Sequence, residues 1–170
     1  MKIRFPRFNT YLIAALCALG AGCKTTAEKE VSTLQFHLEV TPDGTEHNSL
    51  VPIGREGTFT VNVEKAAFLN EGLVAKAAVV NDALGSFALM IQFNRKGSWM
   101  LEQYTVAHKG RRVAILSQFG EARWLAAPKM NNRITDGLFV FTPDATREEA
   151  ERIARGLNNV AKELGNKEKE

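Results

Sequence analysis

The chain has 170 residues and a formal net charge of +3, which is enough for one domain of ordinary size around one apolar core. Three of its 22 basic side chains, Lys2, Arg4 and Arg7, precede Cys23 and no acid does, so the remaining 19 bases face 19 acids. A neutral chain without a basic block has no face that displaces counterions from phosphates, which excludes nucleic acid as a partner.

Met1 to Gly22 has the three parts of an export signal: the basic Lys2, Arg4 and Arg7, the apolar run Tyr11 to Leu19, and the small Gly20, Ala21 and Gly22. The apolar run is shorter than the about 20 residues that cross a bilayer, so it is read as a signal rather than an anchor. Leu19-Gly20-Ala21-Gly22-Cys23 resembles a bacterial lipobox, in which a signal peptidase cuts before a cysteine carrying a diacylglyceryl thioether. Gly20 departs from that pattern, where leucine or another aliphatic is usual. The resemblance implies a lipid on Cys23 and a membrane as partner, each buried methylene contributing about 0.8 kcal/mol. With Lys24 in the second mature place, it also implies a bacterial cell envelope, with the protein facing the periplasm and the outer membrane favoured. Cleavage after Thr25-Thr26-Ala27, giving a soluble periplasmic product, is the alternative. Cys17 leaves with the signal, so the mature chain closes no internal disulfide and depends on its apolar core.

Residues 23–30 form the lipidated cysteine and a polar tether, 31–164 a single domain, and 165–170 a charged tail. Within the domain, Ser32 to Val40 alternates Leu34, Phe36, Leu38 and Val40 against Gln35, His37 and Glu39, a strand with one buried face. Thr41-Pro42-Asp43-Gly44 ends it, and Asp43 to Gly57 reads as a polar loop carrying Val51-Pro52-Ile53. Thr58 to Val63 is a second strand with Phe59, Val61 and Val63 inward. Leu73 to Val80 and Phe87 to Phe93 are strands expected to pair antiparallel across Asn81 to Ser86. Lys96 to His108 changes to helical spacing through Met100, Leu101, Tyr104, Ala107 and His108, and Gly110 ends it. Arg112 to Leu116 is a short buried strand, Phe119 to Trp124 its hairpin partner or a loop, and Gly137 to Phe141 a further strand. Thr146-Arg147-Glu148-Glu149 is a capping box. It opens a helix whose apolar stripe is Ala150, Ile153, Ala154, Leu157, Val160, Ala161 and Leu164. The pattern predicts an α+β fold, an antiparallel or mixed sheet with two helices packed on one face.

No catalytic, metal or cofactor site is read from this sequence, and the reading is non-enzymatic. His37, His47 and His108 have no paired spacing, and there is no CxxC or HExxH motif for zinc or iron. His37 goes with the solvated face of its strand. Ser86 and Ser98 lack the second glycine of a nucleophile elbow, and no glycine-rich loop opens a helix to cradle phosphate. Asp144 reads as turn chemistry, with Glu148 and Glu149 serving the start of the last helix. Trp99 is expected in the core beside the first helix. The stretch Phe119 to Pro128, with Phe119, Trp124 and Leu125, is apolar for a loop, and two readings stand for it: a contact surface for a partner, or a cap on the end of the core.

Phe93-Asn94-Arg95-Lys96-Gly97, Thr105, Gly110-Arg111-Arg112-Val113-Ala114-Ile115, Pro128, Ile134, Gly137 and TREEAERIARGL together resemble the head subdomain of the large periplasmic domain of SecD and SecDF, which assist preprotein export. The family carries F-D-x-x-G, a threonine, G-[KR]-x-[LV]-A-I, a proline, I-x-x-G and E-E-A in that order. Ser32 to Val40 is similar to the strand that leads into that domain. The chain departs from the family where the last helix continues through Asn158-Asn159-Val160-Ala161 instead of running into transmembrane helices. The stretch Ser117 to Ala127 also replaces a short D-G turn. The resemblance implies a SecD-head-like fold and a membrane-tethered binding module that contacts polypeptides or an envelope or translocation complex. A structural or assembly lipoprotein of the cell envelope unrelated to secretion is the alternative.

Overall fold

A computed structural model describes residues 29–57, 59–81 and 85–167. The signal segment, Cys23 and most of the tether lie outside the described residues. Among the described residues nine strands and two α-helices follow in chain order: β1 Thr33–Leu38, β2 Asn48–Ile53, β3 Phe59–Glu64, β4 Leu69–Asn70, β5 Val74–Asn81, β6 Phe87–Phe93, α1 Arg95–Ala107, β7 Val113–Gln118, β8 Ala122–Ala126, β9 Leu138–Phe141 and α2 Arg147–Lys167. The α+β class, the two helices and the antiparallel pairing of β5 with β6 match the sequence reading. The strands are divided among three antiparallel sheets rather than one: β4-β1-β7-β8, the hairpin β2-β3, and β5-β6-β9.

The main core forms where the two larger sheets and both helices meet. Leu34, Phe36 and Leu38 of β1 point into it with Leu89, Ile91 and Phe93 of β6, Phe139 and Phe141 of β9, Leu101 of α1, and Ile153 and Leu157 of α2. Phe36 lies at its centre, its ring edge-on to Phe93 at 5.4 Å and to Phe139 at 5.3 Å. Such aromatic pairs add stabilisation beyond the area they bury. Asn158 ties α2 to the edge of β5, accepting from the Ala77 amide at 2.9 Å and donating to the Ala77 carbonyl at 2.8 Å. That side chain supplies what a neighbouring strand would, so the sheet edge is covered.

A second, smaller core corrects the reading of His37. The hairpin β2-β3 lies over the other face of β1 and β7 and joins the sheet at both sides, through Val40 N–H to Asn62 O and Gly54 N–H to Trp124 O, each 2.9 Å. β1, β3, β2, β8 and β7 thus close a small ring around Val51, Ile53, Val61, Val63, Ala114 and Ala127, with Trp124 packed against them. His37 therefore faces protein instead of water. It is 5% exposed, lies edge-on to Trp124 at 5.0 Å, and its Nδ1 hydrogen-bonds the Glu64 carbonyl at 2.9 Å. Burial lowers its pKa, opposed by that hydrogen bond.

β2 lies within Asp43 to Gly57, which the sequence reads as a polar loop, and it carries Pro52. Proline has no N–H to give and is tolerated there because β2 pairs with only one strand. Phe59 also differs from expectation: Val61 and Val63 are buried, but Phe59 lies beyond the end of the small core and is 41% exposed.

α1 begins at Asn94, whose side chain accepts from the Gly97 amide at 2.9 Å, and Gly110 follows it at φ 85. It packs through Gly97, Leu101 and Thr105, one residue per turn. Trp99 stands about 200° around the helix from Gly97 and is 62% exposed, which overturns its expected place in the core.

Candidate functional site

Of the two expectations for Phe119 to Trp124, hairpin partner or loop, the structure has the hairpin β7-β8, with a register shift between Ile115 and Leu116. Its pairing puts alternate side chains on opposite faces, so the three residues expected as a contact surface are placed differently from one another. Phe119, 5% exposed, and Leu125, 1% exposed, belong to the main core, and Trp124 is half-buried against the small one. Trp124 keeps part of its surface exposed, and Leu125 also borders an opening beside the β2-β3 hairpin.

What the hairpin does form is one wall of an open cleft of about 820 Å³. Ala126, Ala127 and Pro128 line it from the end of β8, with Leu125 beneath. Ile53 and Phe59 line it from the β2-β3 hairpin, and Phe141, Pro143 and Ala145 from the segment joining β9 to α2. Most of these side chains are apolar, and the polar groups Arg55, Asp144 and Thr146 stand at the rim. β9 is the last strand of its sheet, so its outer edge has no strand neighbour among the described residues. The cleft lies at the C-terminal end of that edge. The outer face of the same sheet is apolar too, with Ala78, Val80, Met90 and Leu138 half-buried and Val140 49% exposed. It lacks walls, however.

A charged network holds the cleft in shape. Glu149 closes the expected capping box, accepting from the Thr146 amide at 2.8 Å while Thr146 Oγ1 accepts from the Glu149 amide at 3.2 Å. The same carboxylate receives Arg55 Nη2 at 2.8 Å and Arg123 Nη2 at 3.2 Å. Burial pushes its carboxyl upward, but the Thr146 amide and the Arg123 and Arg55 guanidiniums outweigh that and hold it below the usual carboxylate range. Asp144 Oδ2 accepts from the Arg55 amide. Arg123 is 8% exposed, lies 5.2 Å over the Phe119 ring, and has Glu121 at 3.5 Å as its second acid. Three separate parts of the chain, the β2-β3 turn, β8 and the start of α2, are thereby fastened around one opening.

Among the described residues no three His, Cys, Asp or Glu side chains converge as metal ligands. Asp144 and Glu149 are engaged as above, and Asp136 caps a turn by accepting from the Leu138 amide at 3.0 Å. Sequence reasoning missed Arg55, Phe59 and Phe141 as lining residues. Only the run Val51-Pro52-Ile53 inside an otherwise polar stretch hinted that the segment before Arg55 was packed.

The family model for the SecDF P1 head subdomain matches residues 48–161, from the start of β2 to the last turns of α2. The chain belongs to the SecDF P1 head family. Two solved structures are similar to this P1 head domain. One is a crystal structure of SecDF in a super-membrane-facing form, with 21% sequence identity and a TM-score of 0.55 over 76% of this chain and 19% of that one. The other is a SecDF structure described as a membrane component that enhances protein export, with 19% identity and a TM-score of 0.57 over 92% of this chain and 71% of that one. At these identities the likeness is one of fold. The chain spans about a fifth of the SecDF chain in the first structure, 19% of its length. No curated protein matches it.

Proposed function

We propose that this P1 head domain is an extracytoplasmic binding module, tethered to a membrane of the bacterial envelope through a lipid on Cys23, that holds extended apolar segments of polypeptide in the cleft between β8, the β2-β3 hairpin and the β9–α2 segment. The observation that carries the reading is the cleft, with apolar walls on three sides, Arg55, Asp144 and Thr146 at the rim, and a strand edge without a strand neighbour among the described residues running into it. An extended chain needs both: pockets for alternate side chains give selectivity, and free backbone groups give affinity. Family membership adds support, since a SecDF structure is described as enhancing protein export. No helix among the described residues is long and apolar enough to cross a membrane, and attachment is assigned to Cys23 on the strength of its lipobox-like surroundings.

Phe59 offers a direct test because it lines the cleft and is 41% exposed, so its removal leaves both cores intact. Phe59→Ser is expected to weaken binding of a reduced, carboxymethylated, permanently unfolded protein about tenfold with little change in melting temperature. Unchanged affinity in the variant would remove the cleft from consideration. The anchor is tested separately by metabolic labelling with a radioactive fatty acid. Wild type should take up label and sediment with membranes, whereas Cys23→Ala should do neither, and equal labelling of the two chains would end that part of the proposal.

A further inference from the structure

One end of the domain gathers cations and apolar side chains that the polypeptide cleft does not use. The described chain starts there. Lys29 pairs with Glu163 at 2.8 Å, and the Glu30 carbonyl accepts from Asn159 Nδ2 at 2.9 Å, so the tether leaves beside the last turns of α2. A shallow groove lined by Asn94, Lys76, Lys162 and Leu164 puts the start of α1 at the same end. Lys76, Lys162, Arg95 and Lys96 are exposed, and none has an acid partner among the described residues. Trp99 shares the face of α1 with Arg95 and Lys96, which lie one turn before it. It is 62% exposed, and Val31 near the start of the described chain and Leu164 near the end of α2 are exposed too, at 58% and 37%.

We infer that this end of the domain, centred on Trp99 with Arg95 and Lys96, rests on anionic lipid headgroups. The inference builds on the tethering in the reading above. Between a lipidated Cys23 and Lys29 the chain reaches about 20 Å at most, so the end from which the tether leaves is held against the bilayer. The chemistry there suits that neighbour: tryptophan prefers the headgroup region, and unpaired lysines and arginines are drawn to an anionic leaflet. It also accounts for two features that folding does not require, a large exposed aromatic on α1 and a first turn with two cations and no acid.

The test uses the full chain carrying Trp124→Phe, which leaves Trp99 as its one tryptophan. The chain is reconstituted in vesicles of phosphatidylcholine with a minor fraction of phosphatidylglycerol, some of it brominated. The chain should float with the vesicles, and brominated lipid should quench Trp99 and leave its remaining emission blue-shifted. Arg95→Glu and Lys96→Glu should each weaken the quenched state about fivefold, and high salt should act in the same direction. A chain that floats while Trp99 stays unquenched overturns the inference and leaves the tether standing. A chain that does not float overturns both. Equal quenching in pure phosphatidylcholine, or a shift with polyglutamate in place of vesicles, rules out the anionic bilayer as the occupant.

Discussion

Leu157→Ala is expected to lower the unfolding free energy by about 2–5 kcal/mol, because the side chain is completely enclosed and its loss leaves a cavity the surroundings fill only in part. Leu157 is 0% exposed and faces the main core with Ile153, also 0%, one turn earlier. Neighbours on the sheet side are fixed as well: Asn158 is bound at both ends to the Ala77 backbone, so α2 cannot slide inward to close the gap. Arg155 serves as the control from the opposite face. It is 55% exposed, and its partner Glu30, 3.0 Å away, is 42% exposed. Ion pairs in contact with water are screened and pay side-chain entropy, so Arg155→Ala should leave the urea midpoint within error of wild type. Equal effects at Leu157 and Arg155 would show that the buried face of α2 is misassigned.

The face of α2 was legible because an amphipathic helix writes its burial at a fixed spacing, and Ile153, Ala154 and Leu157 keep it without interruption. β1 was half legible for a related reason. Alternation identified Leu34, Phe36 and Leu38 as inward, but a period of two says only that His37 lies on the other face, not whether that face is wet. Covering it depends on the β2-β3 hairpin, whose first strand lies in a stretch that reads as a polar loop. The strand β8 was obscured in another way. A register shift next to Leu116 interrupts alternation, and Trp124 and Leu125 belong to different cores, so the sequence leaves the stretch open between a hairpin partner and a loop.

Of the cleft only one wall was legible, in the apolar residues Leu125 to Pro128, and no local pattern reveals the other two. Its walls come from residues near Ile53, Ala126 and Pro143, distant in sequence, and each wall taken alone reads as the end of a strand. Glu149, which binds the rim residues Arg55 and Thr146, reads in the sequence only as a helix cap. Its contacts with Arg55 and Arg123 depend on where the hairpins fall in space. The resemblance carried by the Phe93 to Gly97, Gly110 to Ile115 and Ile134 to Gly137 segments was the stronger guide because spacing between motifs records the fold's connections, which composition does not.

Gly156→Ala should destabilise the domain even though alanine is the better helix former. On propensity alone the change would contribute about 1 kcal/mol in favour of folding. The site forbids it, since a Cβ at Gly156 would overlap Ser32 Oγ and come within 2.6 Å of the Ser32 backbone nitrogen and 2.8 Å of Ser32 Cβ. An exposed flexible side chain would turn aside, but Ser32 is 1% exposed and its backbone leads directly into β1, where Thr33 is held in register with Gln118. The helix must therefore lift away from β1, and Ile153 and Leu157 on either side of Gly156 would lose contact with the core. Overpacking of this kind costs about 1–3 kcal/mol, net of smaller gains. Gly165→Ala tests the same substitution near the end of the same helix, where nothing lies within 4 Å of the new methyl group, and it should raise stability by up to about 1 kcal/mol. Denaturation curves for the two variants should thus move in opposite directions from wild type. Ser32→Gly, which removes two of the three contacts, should recover part of the loss when combined with Gly156→Ala; a gain in stability from Gly156→Ala alone would mean that α2 and β1 do not approach so closely.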